Sequence, residues 1–167
     1  MNRLVLVAAL AACNTDTSRE RVDFANLSFD VPAGWTQHAE HVRGIATGVW
    51  TPEHNDKKES ITILRTELAP ATAGASASTL GALAEAAAAP LGATHVSRAT
   101  PITTSSGLSG VRIESDYVPH DVHASYHRVH VVLVDGHSLV HVLYTARSAD
   151  PSLSALDVVL DSIREEG

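Results

Sequence analysis

The sequence predicts an α+β fold, an antiparallel sheet of about seven strands flanked by two main helices. Three observations carry that reading. From Ala124 to Ala146, two β-branched runs flank Asp135-Gly136, a strong short-range hairpin signal. Several other short runs alternate apolar and polar residues between turn-forming clusters. Two stretches, Ser78 to Ala89 and Pro151 to Arg164, repeat apolar residues at helical spacing.

The hairpin comes first because it orients the rest. With a two-residue turn at Asp135-Gly136, Val131 is expected opposite Val140, Val129 opposite Val142 and His130 opposite His141. Alternation then gathers Val129, Val131, Leu133, Val140, Val142 and Tyr144 on a core face. The other face, with Arg128, His130, Val132, Leu139 and His141, is half apolar, so partial cover is expected there. Ser109 to Val118 alternates as well. If its apolar side joins the core face, Glu114 and Asp116 share a face with Arg128 and His130, a charge match worth ~0.2–1 kcal/mol per pair.

The remaining elements follow in chain order. Arg3 precedes the apolar run Leu4 to Ala12, and the single cysteine, Cys13, follows at once. One cysteine excludes an internal disulfide. Leu10-Ala11-Ala12-Cys13 resembles the lipobox of a bacterial lipoprotein signal peptide. The resemblance implies cleavage before Cys13, a lipid on its sulfur, and attachment to a membrane of the bacterial cell envelope. The apolar run is too short to span a bilayer, which needs ~20 residues. The leader to Ala12 is also shorter than the ~15–30 residues of most signal peptides, which leaves open a start codon further upstream. The implied organisation is a signal peptide at 1–12, a polar tether at 13–22 and one domain at 23–167.

Leu27 to Val31 alternates as a strand, Pro32-Ala33-Gly34 turns, and Trp35 opens the next segment. Ile45 to Thr51 reads as a strand, Thr51 to Ser60 as a polar loop and Ile61 to Thr66 as a further strand. Ala69 to Ala77 is a linker. Ser78 caps a helix carrying Leu80, Leu83, Ala84 and Ala87 on one face, and Pro90 ends it. Thr94 to Ala99 is a strand and Thr103 to Gly107 a turn. Asp150 caps the last helix with Pro151 at its first position, and Leu153, Leu156, Leu160 and Ile163 form its stripe. Glu165 and Glu166 oppose the dipole at its end, so fraying is expected there.

The run Phe29-Asp30-Val31-Pro32-Ala33-Gly34-Trp35 is similar to the opening of the Mog1/PsbP-like fold. That fold occurs in the DcrB-like and LpqN-like envelope lipoproteins and in the photosystem PsbP proteins. The likeness spans about Phe24 to Arg164. Its motif is structural and carries no catalytic residue with it.

Net charge is -7 and no basic tract is present, which excludes nucleic acid as an expected partner. The chain holds 10 histidines, and these give the chemical candidates. His130 and His141, opposed across the hairpin, with Glu114 on the next strand, have the donor types of a zinc or copper site. His120, His123 and His127 cluster nearby. His123 and His127 have the spacing of a zinc helix, but Ala124 stands where the glutamate belongs and the segment reads as strand. No Gly-x-Ser-x-Gly elbow and no phosphate-cradling glycine motif occur. Trp35 and Trp50 are expected in the core. Glu114 and Asp116 are expected on a solvated or ion-paired face.

No catalytic residue is therefore expected, and no cofactor. The reading is a non-catalytic, membrane-tethered binding or assembly-accessory module whose partner is another envelope protein, with no small-molecule substrate. The alternative is a metal-binding envelope module using zinc or copper at His130, His141 and Glu114. A small hydrolase stands further off.

Overall fold

The computed structural model describes residues 18–42, 45–67, 77–88, 93–120, 123–136, 138–147 and 153–166. The leader with Cys13, the linker at 68–76, Pro90, His137 and the Asp150-Pro151 pair lie outside the described residues. The elements are β1 (Arg19–Phe24), β2 (Leu27–Pro32), β3 (Trp35–Val42), β4 (Ile45–Pro52), β5 (Ser60–Glu67), α1 (Ala77–Ala88), β6 (Ala93–Val96), β7 (Thr100–Thr103), β8 (Ser109–Tyr117), β9 (Tyr126–Asp135), β10 (Ser138–Arg147), α2 (Ser154–Ser162) and β11 (Arg164–Glu165). A large sheet of 8 strands runs β3-β4-β5-β10-β9-β8-β6, with β7 also on β8. A small sheet of 3 strands runs β1-β2-β11.

The small sheet and α2 cover the inner face of the large sheet. Val129, Val131, Leu133, Val140, Val142 and Tyr144 all lie there, fully buried with Leu27, Phe29, Leu156 and Val159. Each such side chain removed from water contributes about 1.5–3 kcal/mol. Trp50 anchors this layer, edge-on to Phe24 at 5.6 Å and to Phe29 at 5.1 Å, the T-shaped geometry aromatic pairs favour. Its indole lies over Gly48, where any Cβ would collide with the ring. Trp35 packs at the margin of the same core. Ser162 pins α2 to β2, since its hydroxyl accepts from the Asp30 amide at 2.8 Å.

The outer face is closed by α1, whose Leu80 and Ala84 meet Val111, Ile113 and Val132. Gly81 permits the close approach, because a Cβ there would sit 2.9 Å from that of Ala99. The two helices thus lie against opposite faces of the large sheet.

Several expectations change. The hairpin register is shifted: Val131 faces Val142, Leu133 faces Val140 and His130 faces Leu143. Asp135 is the last strand residue, facing Ser138, and Gly136 follows it in the turn. An ion pair with Arg65 at 2.7 Å draws Asp135 into the ladder. Sliding the loop by one position moves each partner by two, so every residue keeps its face.

β8 inverts instead. Val111 pairs with Val132, Ile113 with His130 and Glu114 with Val129. Val111 and Ile113 therefore lie under α1, and Glu114 and Asp116 stand on the inner side, away from His130. Both faces offer apolar neighbours, so alternation alone does not choose between them.

Arg19 to Val22, read as tether, belong to β1 and pair with Phe29 to Pro32. β3 also forms where no strand was expected. Both are edge strands, which need few apolar residues and so resemble linkers in composition. The expected strand at 94–99 ends at Val96, and β7 follows separately. The last helix starts at Ser154 and stops at Ser162, and Arg164 and Glu165 leave it to pair with β2. Burial of Ile163 and the β2 ladder outweigh one more helical turn, so Glu165 ends a strand rather than a fraying helix.

Candidate functional site

β9 carries three polar sites in ten residues, and alternation assigns each to its face. His127 lies at its start, on the inner side but beyond the core. Its Nδ1 is 2.9 Å from Asp116 Oδ1, and its Nε2 is 3.8 Å from Glu114 Oε2. Arg112 donates to the same Glu114 at 2.8 Å. The imidazole is held between two carboxylates. That arrangement fixes the orientation of the ring.

Beside this group an open cleft of about 770 Å³ lies at the end of the large sheet. Four segments line it. Asp56 and Lys57 come from the β4–β5 loop, Asp116 from β8 and Arg147 from the end of β10, and His123 and Ser125 lead into β9. The loop is held in shape by Asn55, which bonds the Glu59 amide and carbonyl at 2.5 and 2.8 Å. The Arg147 amide donates to the Lys57 carbonyl at 2.7 Å, joining loop to strand. The cleft therefore presents two cations, two acids and an imidazole on fixed backbone. His123 and His127 do not converge as on a zinc helix: His127 is in β9 and His123 lies in the bend before it.

On the outer face His130 and His141 meet diagonally. Their rings stack with centroids 5.4 Å apart, and His130 Nε2 lies 3.1 Å from His141 Nδ1. Burial first, then the neighbouring His141 and Arg128, lowers His130 to about 4. Burial also lowers His141. Both rings are neutral near pH 7, and one nitrogen of each is spent on the other. Glu114, expected as their third partner, is on the opposite face. Among the described residues no group of three or more His, Cys, Asp or Glu is placed to hold a metal ion.

At the far end of β9 is a cluster that sequence reasoning missed. Arg65 ion-pairs with Asp135 at 2.7 Å and Glu165 at 3.2 Å, and donates to the Ala25 carbonyl at 3.2 Å. Burial and the nearby Glu165 raise the Asp135 carboxyl, while Arg65 opposes them. The cluster fastens the large sheet to the small one. Its signal was present: Arg65 follows Ile61 and Ile63 on the buried phase of β5, where a charge needs a partner.

No protein-family model matches the sequence, and no curated protein matches it. Solved structures do match in shape. The solution structure of cyanobacterial PsbP (CyanoP) from Synechocystis has a TM-score of 0.58 at 16% identity, over 95% of this chain and 99% of that one. LpqN, involved in cell envelope biogenesis of Mycobacterium tuberculosis, has a TM-score of 0.57 at 15% identity, over 87% and 89%. A crystal structure from Bacteroides thetaiotaomicron has 0.56 at 10% identity, over 84% of this chain but 45% of that one, so this chain spans under half its length. The chain has the Mog1/PsbP-like fold.

Proposed function

We propose that this chain is a lipoprotein of the bacterial cell envelope, anchored through Cys13, whose domain is a non-catalytic accessory module that docks another envelope protein. The observation that carries the reading is the sequence Leu10-Ala11-Ala12-Cys13, which resembles a lipobox, ahead of a domain with the Mog1/PsbP-like fold. LpqN, with the same fold, is itself described as acting in cell envelope biogenesis. The chemistry of the polar sites supports it too. The imidazole of His127 is packed between two acids, and the His130–His141 pair is turned in on itself. What faces solvent is the cleft with Lys57, Arg147, Asp56 and Asp116, of a size and mixed charge suited to a polar loop of a partner.

Mass spectrometry of the native amino terminus tests the anchor. A diacylglycerol-modified Cys13 is expected, with Cys13→Ala moving the protein to the soluble fraction. An unmodified Met1 overturns it. Cross-linking in intact envelopes tests the docking. A discrete adduct is expected that Lys57→Glu and Arg147→Glu abolish while the melting temperature is kept. An adduct unchanged in both variants removes the cleft from the reading.

A further inference from the structure

β3 is the terminal strand of the large sheet, and among the described residues it pairs with β4 alone. Thr36, Gln37 and His38 are exposed in succession, so both faces of the strand stand clear of the core there. The β3–β4 hairpin also outruns its neighbour. β5 pairs with β4 from Thr47 to Trp50, whereas Ala46 and Ile45 pair only with His41 and Val42 of β3. Ile45, at that free end, is an exposed large hydrophobic residue at 38%.

The other sheet edges are protected. β6 has 4 residues and an irregular register, β7 has 4 residues and includes Pro101, and β11 has 2 residues. β1 carries Arg19, Glu20 and Arg21 in succession. β3 has 8 residues with no proline, lysine or arginine. Short length, bulges, prolines and runs of charge are the devices by which natural sheets prevent edge pairing. β3 has none of them.

We propose that β3 pairs with β3 of a second copy of this chain, antiparallel about a two-fold axis at Ala39, which joins the two large sheets edge to edge. The order of residues in the strand favours a second copy over an unrelated peptide. About that axis Thr36 comes opposite Val42, Gln37 opposite His41, and His38 opposite Glu40. Ala39 takes the register position on the axis, where two identical residues must meet, and an acid stands opposite a histidine in two of the register pairs. Moving the axis one residue either way sets His38 against His38 or Glu40 against Glu40. The interface is isologous, so each favourable pair occurs twice. The inference stands whether or not the chain is membrane-tethered.

Sedimentation velocity of the full chain at rising concentration tests it, with circular dichroism reporting the fold of each variant. The wild type is expected to dimerise reversibly. His38→Glu sets acid against acid twice and is expected to raise the dissociation constant about tenfold. Adding Glu40→Lys restores opposite charges and is expected to recover the wild-type value. Ala39→Lys, which places two lysines on the axis, is expected to abolish the dimer. A chain that stays monomeric at every concentration overturns the proposal, as does a dimer that neither His38→Glu nor Ala39→Lys weakens.

Discussion

At one end of β9, Asp135 lies 4% exposed and 2.7 Å from Arg65, walled in by two sheets. At the other end, His127 holds Asp116 at 2.9 Å beside an open cleft. Both ends pair an aspartate with a basic group, yet they do different work. Burial makes the first a fastener: removing either partner strands a charge away from water. Exposure makes the second adjustable, because solvent and salt screen the pair and its loss costs little.

Arg65→Ala breaks the contrast most sharply. It leaves Asp135 buried without its cation and frees the Ala25 carbonyl, so chemical denaturation is expected to show a loss of about 3–5 kcal/mol. A loss under about 1 kcal/mol means that the fastener is no stronger than a surface pair.

His130, midway along the strand, gives the next effect. Its folded pKa of about 4 lies below the ordinary 6.5, so the folded chain binds fewer protons there than the unfolded one. Its contribution is complete above pH 6.5 and is lost as pH falls toward 4, on the order of 2–3 kcal/mol. His141, also lowered, adds in the same direction. Asp135, raised, works the other way, since the folded state takes up its proton more readily as pH falls. Comparing the pH dependence of urea unfolding in the wild type and in His130→Leu isolates the histidine. The variant is expected to have the flatter profile, and parallel profiles contradict the assignment.

Asp116→Asn, at the open end, is expected to cost less than about 1 kcal/mol, because its carboxylate is 44% exposed. A thermal melt that falls as far as that of Arg65→Ala shows that the two ends are fastened alike.

Legibility in the sequence followed the same division. The inner face of the hairpin was readable because Val129, Val131, Val140 and Val142 repeat with period two and one side of them is dry. The helical stripes were readable for the equivalent reason, though not the point at which α2 yields to β11. The edges β1 and β3 were not readable, because a strand that buries little carries little hydrophobic signal. The site was less legible still. His130 and His141 do touch, but through a diagonal contact rather than the opposed one that was expected. Glu114 went to the other face because β8 joined β9 in the opposite phase, a choice that two apolar faces leave open.

What the sequence determined by itself was the α+β class, the core face of the central hairpin and the resemblance in its Pro-x-Gly turn and tryptophan. All of these rest on local periodicity and turn chemistry, which neighbours in the chain carry. Tertiary structure alone decided which side of β8 faces α1, that Arg65 clasps Asp135 and Glu165, and that Asp56, Lys57, Asp116 and Arg147 surround one cleft. Those groups lie far apart along the chain, and only the packing of one sheet on another brings their charges within reach.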